Sequence, residues 1–414
     1  MNLTAFQGLD PFEHPFDRIL AEIAFSVQLP PSLHQKAVTR YNAVREHLEA
    51  TVAFMNQIEH FYPQGSMAID ATISTRGTDD EYDLDIVAQL GGRFRSMSAL
   101  EILMALAAGL VDYPVSRVVR QTRCVTLYYA DNMHLDVTPA LRDYGTPDRQ
   151  STISHARGPA PRSDDSQVPM NAYGHAEWYK CRTPLERRVY DAFKNRWERV
   201  QKDTIRADAE VDDVPDQAEF VVKNIATVAL QLLKRNRNIR YADYSGRIPP
   251  SVMLSYYAGI AATPNLSLSD MLIRIANWII GDIERASINR QALLVVNPVY
   301  DKDVFTDRWP EDLQQQNEFA GYLRQLVSGI ERAKRGELDP VRLRDWLREQ
   351  FGDLVVTKAV DRIAEATGSA IISGNQAYTR KGGILMPTIA AATVATVSPV
   401  AASKHTFFGA PLDD

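Results

Sequence analysis

The chain has 414 residues, 45% of them hydrophobic and 24% charged, and its formal net charge is −6. This ordinary globular balance allows a substantial core, and the length favours two or three structural units. The acidic total argues against a protein whose main task is to grip long nucleic acid, so small nucleotides fit better.

The first third of the chain mixes helical and strand patterns. After Pro30-Pro31, apolar residues recur at helical spacing and predict a long helix that begins at Ser32, its N-cap, and runs to about His60. The clearest strand pattern is Tyr82–Leu90. The other elements predicted here are, in chain order, a turn at Gly65-Ser66, a polar loop over residues 75–81, a helix over Ser98–Val111, and strands over Val115–Gln121, Arg123–Ala130 and His134–Thr138.

The rest of the chain changes from a long loop to a helical pattern. Residues 151–173 are rich in Pro, Ser, Asp, Gly and Asn and predict a loop that bridges two lobes. Helices are predicted from Pro184, over Ala218–Arg235, from Ser251, and over Leu266–Arg285, Glu311–Lys334 and Pro340–Phe351. The expected fold class is α+β, a mixed sheet with helices followed by an all-helical lobe. The expected domains are a core over residues 1–170, a helical lobe over 171–365 and a flexible tail over 366–414.

One uncharged segment, Gly382–Ser403, is long enough to cross a bilayer. Its apolar residues are mostly small, and Pro387 and Pro399 interrupt it, so insertion would be weak. A flexible or strand-like tail is the expected structure. The segment Met1 to Pro15 lacks the pattern of a secretory signal, which predicts a cytoplasmic protein.

Two carboxylates in one strand are the most informative chemical feature. Asp83 and Asp85 share a face of their strand, because alternate side chains point the same way. Two neighbouring carboxylates repel each other unless a cation lies between them, which favours a divalent-metal site over the alternative of a solvated strand edge. Gly65 and Ser66, just upstream, offer backbone N–H groups and a hydroxyl to phosphate oxygens.

A third carboxylate, Asp136, stands between Leu135 and Val137 in a neighbouring predicted strand. Three such carboxylates can bridge two cations roughly 3.5–4 Å apart, the arrangement that nucleotidyl transfer uses. The run of acids at residues 79–81 lies in a polar loop and is interpreted as solvated.

These motifs together resemble the DNA polymerase β-like nucleotidyltransferase superfamily. The branch that they resemble most is the bacterial cyclic-oligonucleotide synthases (CD-NTases with a SMODS-type core), relatives of cyclic GMP–AMP synthase and oligoadenylate synthetase. The resemblance covers about residues 30–365. It rests on Gln64-Gly65-Ser66, Asp83-Leu84-Asp85-Ile86-Val87, Leu135-Asp136-Val137, Leu232-Leu233-Lys234-Arg235, Ile248-Pro249-Pro250-Ser251, Asn297-Pro298 and Phe305-Thr306-Asp307-Arg308-Trp309.

The resemblance implies roles for residues of the first lobe. Asp83 and Asp85 would bind both metal ions, and Asp136 would complete the one that activates the acceptor hydroxyl. Gly65 and Ser66 would hold the donor phosphates. The implied cofactor is two Mg²⁺ ions, with Mn²⁺ as an alternative.

In the helical lobe, the resemblance makes Lys234 a phosphate-binding lysine and Ser251 a phosphate-contacting serine at a helix start, where N–H groups favour anions. The alternatives are a surface lysine in the run 234–237 and a simple N-cap. Side chains interpreted as structural or as packing residues are Asn297, Asp307, Arg308, Trp309, Tyr241 and Tyr244.

The implied function is synthesis of a cyclic di- or trinucleotide second messenger from NTPs (ATP, with GTP or another NTP) in bacterial anti-phage, CBASS-type defence. The effector protein would bind the product rather than this chain, and regulatory or conjugating defence proteins are candidate partners. Neither a membrane nor double-stranded DNA is an expected partner, because Cys124 and Cys181 cannot build the zinc ribbon of the animal synthase. The ending Thr406–Ala410 resembles conjugated tails, but four residues follow it.

Two other functions stay open at this point. One is a polymerase β-like transferase that modifies a tRNA, a protein or a small molecule, although the chain lacks the basic tracts expected for tRNA. The other is a catalytically silent nucleotide-binding protein, against which the three intact aspartates argue. The bases, linkage and ring size of a product do not follow from the sequence.

Overall fold

A computed structural model describes residues 12, 14–29, 31–73, 82–147, 149–207, 224–372, 376–377 and 386–387 of the chain. Contacts between residues divide the chain into two units, Met1–Val356 and Thr357–Asp414. The large mixed sheet and the cavity beside it belong to the first unit.

The N-terminal half alternates helices and strands and provides the sheet. Its elements are α1 Pro15–Val27, α2 Pro31–Ala50, β1 Ile58–Pro63, α3 Gly65–Ala68, β2 Tyr82–Leu90, α4 Ala99–Leu110, β3 Arg117–Arg120, β4 Val125–Tyr128, β5 Met133–Arg142, β6 Ser151–His155, β7 Ser166–Met170 and α5 Ala172–Arg182. The predicted strand β2 and helix α4 are confirmed. A capping box begins α4, in which Ser98 accepts from the Glu101 N–H and the Glu101 carboxylate accepts from the Ser98 N–H.

The long helix predicted to reach His60 is wrong in its second half. Helix α2 ends at Ala50, a turn with Asn56 at a φ of 57° follows, and residues 58–63 form β1 against β2. The apolar stripe did not continue into the core, because Val52 is 87% exposed. Pairing with β2, a partner later in the chain, decided the structure of this segment.

The bridging loop predicted over residues 151–173 is also wrong. Strands β6 and β7 form an antiparallel hairpin that extends the sheet from β5, and Asn171 then caps α5 by accepting from the Gly174 N–H at 2.9 Å. Small polar side chains do not prevent a strand when backbone hydrogen bonds have partners on a neighbouring strand. The loop is confined to the connection between the two strands.

The strands form one seven-stranded sheet in the order β1-β2-β5-β4-β3, with β6 paired to β5 and β7 paired to β6. Strands β2 and β5 are parallel, whereas every other pair in this sheet is antiparallel. The mixed sheet confirms the predicted α+β class. The parallel register sets Asp85 opposite Asp136 and Asp83 opposite His134.

The hydrophobic core lies on one face of the strands. Residues Leu84 and Ile86 of β2 and Leu135 and Val137 of β5 are buried together with apolar side chains of α2 and α4. Since alternate residues of a strand face opposite ways, the alternation sends Asp85 and Asp136 away from this core.

The C-terminal half is mainly helical. Its elements are α6 Arg187–Ala207, α7 Ile225–Arg240, α8 Ser251–Ala261, α9 Leu268–Ile288, β8 Val296–Asn297, β9 Tyr300–Val304, α10 Leu313–Lys334, α11 Pro340–Phe351, α12 Asp353–Ile372, β10 Gln376–Ala377 and β11 Met386–Pro387. The helices predicted from Ser251 and over Pro340–Phe351 are confirmed at those bounds. Helix α6 begins at Arg187 rather than at Pro184, and α5, α12 and the β8–β9 hairpin were not predicted.

In the described part of the chain, no helix combines the length and apolar character that a membrane crossing requires. The uncharged segment Gly382–Ser403 lies outside the described residues except for β11, and the ending Thr406–Ala410 lies outside them entirely. Of the two cysteines, Cys124 is half-buried and Cys181 is exposed.

Candidate active site

A cavity of about 710 Å³ lies between the carboxylate face of the sheet and helices α5, α7 and α8. Five of the seven predicted site residues line it: Gly65, Ser66, Asp85, Lys234 and Ser251. Asp136 is adjacent to Asp85 on the paired strand and is not among the lining residues. The side chain of Asp83 lies outside the described part of the chain.

The two described aspartates form a strongly anionic spot on the sheet. Asp85 and Asp136 are directly opposite in the β2–β5 register, and the Thr126 hydroxyl donates to Asp136 Oδ1 at 2.5 Å. Burial and the neighbouring charges of Asp136 and Asp85 raise the pKa of the Cys124 thiol, which therefore stays protonated. Among the described side chains, no three His, Cys, Asp or Glu residues form a metal-binding group.

Gly65 is the residue that lets the chain pass close to this spot. Its φ is +58°, and a Cβ atom there would lie 2.5 Å from Asp85 Oδ2. A side chain would therefore displace the carboxylate as well as strain the backbone. The adjacent Gln64 fixes the turn to the sheet, since its N–H donates to the Asp85 carbonyl at 2.8 Å and its side chain donates to Thr138 at 3.1 Å.

Lys234 reaches the same turn from helix α7. Its ammonium donates to the Ser66 hydroxyl at 2.6 Å and to the Ala71 carbonyl at 3.0 Å, and the residue is only 5% exposed. The alternative of a surface lysine is therefore wrong. A buried ammonium and a hydroxyl in contact at a glycine turn offer positive charge and a donor to phosphate oxygens.

The three residues after Lys234 are buried too, and each holds a different segment. Arg235 Nε donates to the Phe351 carbonyl at 2.9 Å, and Asn236 Nδ2 donates to the Gln350 carbonyl at 3.1 Å. Arg237 Nη1 donates to the Pro249 carbonyl at 2.8 Å. Successive helix positions are rotated by about 100°, so one turn of α7 can bind segments on all its sides. Burial lowers the pKa of Arg237 to about 10.

Ser251 is the first residue of α8, and Pro250 occupies the N-cap position without a side-chain cap. The alternative of a simple N-cap is therefore wrong. The Ser251 hydroxyl accepts from Arg237 Nη1 at 2.9 Å, which joins it to the buried cations of α7. The hydroxyl lies at the helix end where N–H groups favour an anion.

The motif at residues 305–309 combines packing with charge. Trp309 is buried, and its ring meets Phe319 edge-to-face at 5.7 Å, as the structural interpretation expects. Asp307 forms an ion pair with Arg123 at 2.5 Å. Arg308 differs from that interpretation, since it is exposed and lines the cavity.

Asn297 also has a structural role. Its Nδ2 donates to Asp303 Oδ2 at 2.8 Å and to the Asn171 carbonyl at 2.9 Å, and all three residues are buried. Asp303 in turn accepts from the Asn171 N–H at 2.9 Å. This network fixes the β8–β9 hairpin to the start of α5, and burial raises the pKa of the Asp303 carboxyl.

His175 of α5 lines the cavity and was not foreseen. The Ser255 hydroxyl donates to the Val252 carbonyl at 2.7 Å, so it accepts from His175 Nε2, which is 3.0 Å away. The ring meets Phe305 edge-to-face at 4.8 Å. Burial lowers the pKa of His175 to about 4, so the imidazole is neutral near pH 7. A lone histidine just after the predicted loop carried no signal for this role.

Tyr241 and Tyr244 pack against other side chains of the protein. Tyr241 contacts Tyr244 and Tyr322 edge-to-face at centroid distances of 5.5 and 5.8 Å. The Tyr244 hydroxyl accepts from Gln315 Nε2 at 2.9 Å. These contacts agree with the packing interpretation.

Comparisons of sequence show that residues 16–158 match the Second Messenger Oligonucleotide or Dinucleotide Synthetase domain family. The chain is similar to the cyclic dinucleotide synthase CdnG of Bradyrhizobium diazoefficiens, with 49% identity over 97% of this chain and 96% of the relative. It is 23% identical to a c-di-GMP synthase of Roseivirga ehrenbergii, over 74% of this chain and 76% of that protein.

Solved structures agree. The structure of the B. diazoefficiens CD-NTase CdnG in complex with GTP matches with a TM-score of 0.75 and 48% identity, covering 85% of this chain and 100% of that one. The CdnC:HORMA-deltaN complex of Escherichia coli MS115-1 matches with a TM-score of 0.54 and 15% identity, covering 82% and 98% of the two chains. The latter match shows the fold alone.

Proposed function

Because the chain belongs to the CD-NTase family of cyclic-oligonucleotide synthases, which are nucleotidyltransferases, we propose that it makes a cyclic dinucleotide or trinucleotide from NTPs in the cavity beside the sheet. One observation carries the proposal: Lys234 contacts Ser66 at 2.6 Å, and the Gly65-Ser66 turn in turn lies against Asp85, which is in register with Asp136. Phosphate-binding and metal-binding groups predicted from distant parts of the chain thus meet in one place.

The donor triphosphate would bind at the turn. Lys234 supplies a positive charge that protein oxygens already hold in place, Ser66 supplies a hydroxyl, and Gly65 leaves room beside Asp85. Ser251 and the N–H groups at the start of α8 would take further phosphate oxygens. A preorganised cation costs little reorganisation during reaction, which favours stabilisation of the charge that develops on the leaving pyrophosphate.

The residues present fit two divalent cations, Mg²⁺ or Mn²⁺. Asp85 and Asp136, together with Asp83, would hold the two cations. Because Gly65 has no Cβ, the Asp85 carboxylate can keep its position beside the turn. When bound, such cations supply charge neutralisation of the triphosphate and a lower pKa of the attacking hydroxyl.

The reaction consists of two transfers. A ribose hydroxyl of the acceptor attacks the donor α-phosphate in line, a new P–O bond forms, and the bond to pyrophosphate breaks. The linear product keeps the acceptor's 5′-triphosphate. It then rebinds with that triphosphate at the Ser66–Lys234 site, where its free hydroxyl attacks its own α-phosphate and closes the ring with release of a second pyrophosphate. For a trinucleotide, one further transfer from an NTP precedes this ring closure. The protein's part is to bind and orient both nucleotides.

The likeness to the family supports a proposed biological setting. A cyclic nucleotide made on demand would act as a second messenger in anti-phage defence, with its effector binding the product rather than this chain. Regulatory or conjugating proteins of the same defence system are candidate partners. CdnG, the 49% identical relative, was solved with GTP, which makes GTP the first substrate to test alongside ATP.

The test is incubation of the protein with labelled ATP, GTP, CTP and UTP, singly and in combination, with Mg²⁺ and, if needed, phage-infected extract. A product that resists alkaline phosphatase supports the proposal, and its mass gives the bases and ring size. The double variant Asp83→Ala, Asp85→Ala should make none. If no combination yields a protected product, the proposal is wrong, and label on a macromolecule would indicate a transferase with another acceptor.

A further inference from the structure

A second group of cations lines the same cavity. Arg123, Arg247 and Arg308, here called the arginine rim, come from three separate segments, namely the turn before β4, the loop before α8 and the loop before α10. Arg123 Nε donates to His155 Nδ1 at 2.9 Å, and Arg247 Nη1 donates to the Arg308 carbonyl at 3.0 Å. The second bond joins the segments of Arg247 and Arg308, and the ion pair of Arg123 with Asp307 joins the third segment to them.

Positive charge is in excess at the rim. Its carboxylates are Asp307, 2.5 Å from Arg123, and Glu311, 3.6 Å from Arg247. The buried Asp303 also lies within the electrostatic reach of Arg123, and burial raises its pKa. These three carboxylates face four guanidinium groups, since Arg157 lies close to Arg308 as well. In the described part of the chain, the guanidinium of Arg308 has no hydrogen bond or close ion pair. Burial and the like charges of Arg123, Arg247 and the exposed Arg157 lower the pKa of Arg308. Like charges in such proximity are unfavourable unless an anion joins them.

The chemistry of that anion follows from the side chains. Guanidinium groups bind phosphate oxygens through paired N–H donors, and several of them around one point suit a polyphosphate better than a single carboxylate. The rim shares its cavity with Ser66 and Lys234, which the proposed function assigns to the donor triphosphate. The first transfer brings two NTPs into this cavity, so a second triphosphate needs cations of its own.

We propose that Arg123, Arg247 and Arg308 bind the 5′-triphosphate of the acceptor nucleotide. This inference rests on the proposed function. It explains why these cations are partly or fully exposed: after the first transfer the same triphosphate must leave the rim and move to the Ser66–Lys234 site for ring closure. A site on the edge of a cavity releases such a group more readily than a buried one.

The test is a single-transfer assay in which each nucleotide has one role. The donor is a 2′,3′-dideoxy-NTP, which has no hydroxyl to attack with. The acceptor is either an α,β-methylene NTP, which carries a triphosphate but cannot donate, or the corresponding nucleoside. Both bases are those found in the cyclic product. Transfer joins the acceptor's ribose oxygen to the donor α-phosphate and releases pyrophosphate, which is measured.

The wild type should use the triphosphate acceptor about tenfold or more better than the nucleoside in kcat/KM, as expected for lost charged hydrogen bonds. Arg308→Gln should remove most of this preference and leave the nucleoside reaction within about twofold of the wild type. Arg308→Lys, which keeps the charge, should retain part of it. Arg162→Gln, which breaks an exposed ion pair with Asp164, is the matched control and should retain all of it.

Two outcomes would overturn the inference: a wild type with no preference for the triphosphate acceptor, or an Arg308→Gln enzyme that loses both acceptors equally. The second outcome would indicate that the rim binds the donor, or binds a part that the triphosphate acceptor and the nucleoside share. A failure of the proposed function would be seen in a different measurement, because the wild type would then make no cyclic product from ordinary NTPs.

Discussion

Two groups of cationic side chains lie at or next to one cavity, and they differ in what holds them in place. Of the first group, Lys234 and Arg237 line the cavity, and Arg235 lies in the interior beside them. Lys234, Arg235 and Arg237 of α7 are buried, and each donates to protein oxygens at 2.6–3.0 Å. In the arginine rim, Arg308 is exposed and Arg123 and Arg247 are partly exposed, and their like charges act on one another. Buried cations with protein partners hold the fold and the site in one geometry, whereas cations in excess at an edge depend on a ligand.

Removing the buried lysine should have the largest effect on activity. Lys234→Met keeps the apolar stem but takes the charge from Ser66 and from the donor phosphates, so cyclic product should form about 10²–10³ times more slowly. Product formation measured by phosphatase-resistant label checks this expectation. Lys180→Met, which removes an exposed lysine beside Glu177, should leave the rate unchanged. Near-normal activity of Lys234→Met would show that α7 supports the fold alone.

Removing a buried arginine from the same turn should act on stability instead. Arg235 is 2% exposed, and Arg235→Leu leaves the Phe351 carbonyl without its charged donor, so unfolding should become about 3 kcal/mol easier. Urea denaturation followed by circular dichroism measures the change. The control is Arg342→Leu, at an exposed ion pair on α11. An equal loss in both variants would contradict the assignment of Arg235 to the interior.

The buried, neutral His175 should make the stability of the protein depend on pH. Burial lowers its pKa from 6.5 to about 4, so the unfolded chain takes up this proton first as the pH falls. Stability conferred by His175 is therefore present above pH 6.5 and is lost toward pH 4, with about 2 kcal/mol lost between pH 7 and pH 5.

His175→Gln can still donate to Ser255 and should flatten this acid limb in urea titrations at several pH values. His60→Gln, at a half-exposed histidine of β1, should keep the wild-type slope. An unchanged slope in His175→Gln would indicate that other groups cause the acid loss, among which His155 has a pKa lowered in the same direction.

Elements that depend on local patterns could be predicted from the sequence, whereas elements that depend on distant partners could not. Strand β2 with Asp85 follows from local alternation, and helices such as α11 begin at a proline next to a capping residue. Strand β1 and the β6–β7 hairpin exist because a distant strand pairs with them, which a local pattern does not contain. The run at 234–237 was open to interpretation as a solvated face, because its partners are separated from it by many residues in sequence.

The residues at the glycine turn and on the sheet could be predicted from the sequence better than the residues of the arginine rim. Gly65, Ser66, Asp85 and Asp136 belong to short motifs whose order along the chain is specific, and the structure brings them together. The arginine rim is not predicted by one motif, since Arg308 alone lies in a motif and the three arginines come from segments that only the folded chain unites. Arg308 in particular was assigned to packing through its neighbour Trp309, which does pack.

The smallest expected effect is on the stability of the ligand-free protein, and it distinguishes the arginine rim from the buried cations of α7 most clearly. Arg308→Gln removes one of several like charges at an exposed position, so the ligand-free protein should be unchanged or more stable by roughly 0.2–0.5 kcal/mol at low salt. The gain should vanish in about 1 M salt, where charges are screened within about 3 Å. Urea denaturation at the two salt concentrations measures it.

Inorganic tripolyphosphate should make the wild type more stable than Arg308→Gln, the reverse of the order expected without a ligand. Since it binds the folded rim, it should raise the melting temperature of the wild type more than that of Arg308→Gln, in proportion to its affinity for each. Arg162→Gln should respond as the wild type does. If Arg308→Gln destabilises the ligand-free protein by as much as Arg235→Leu does, the rim is held by the protein as α7 is, and the contrast between the two groups of cations does not exist.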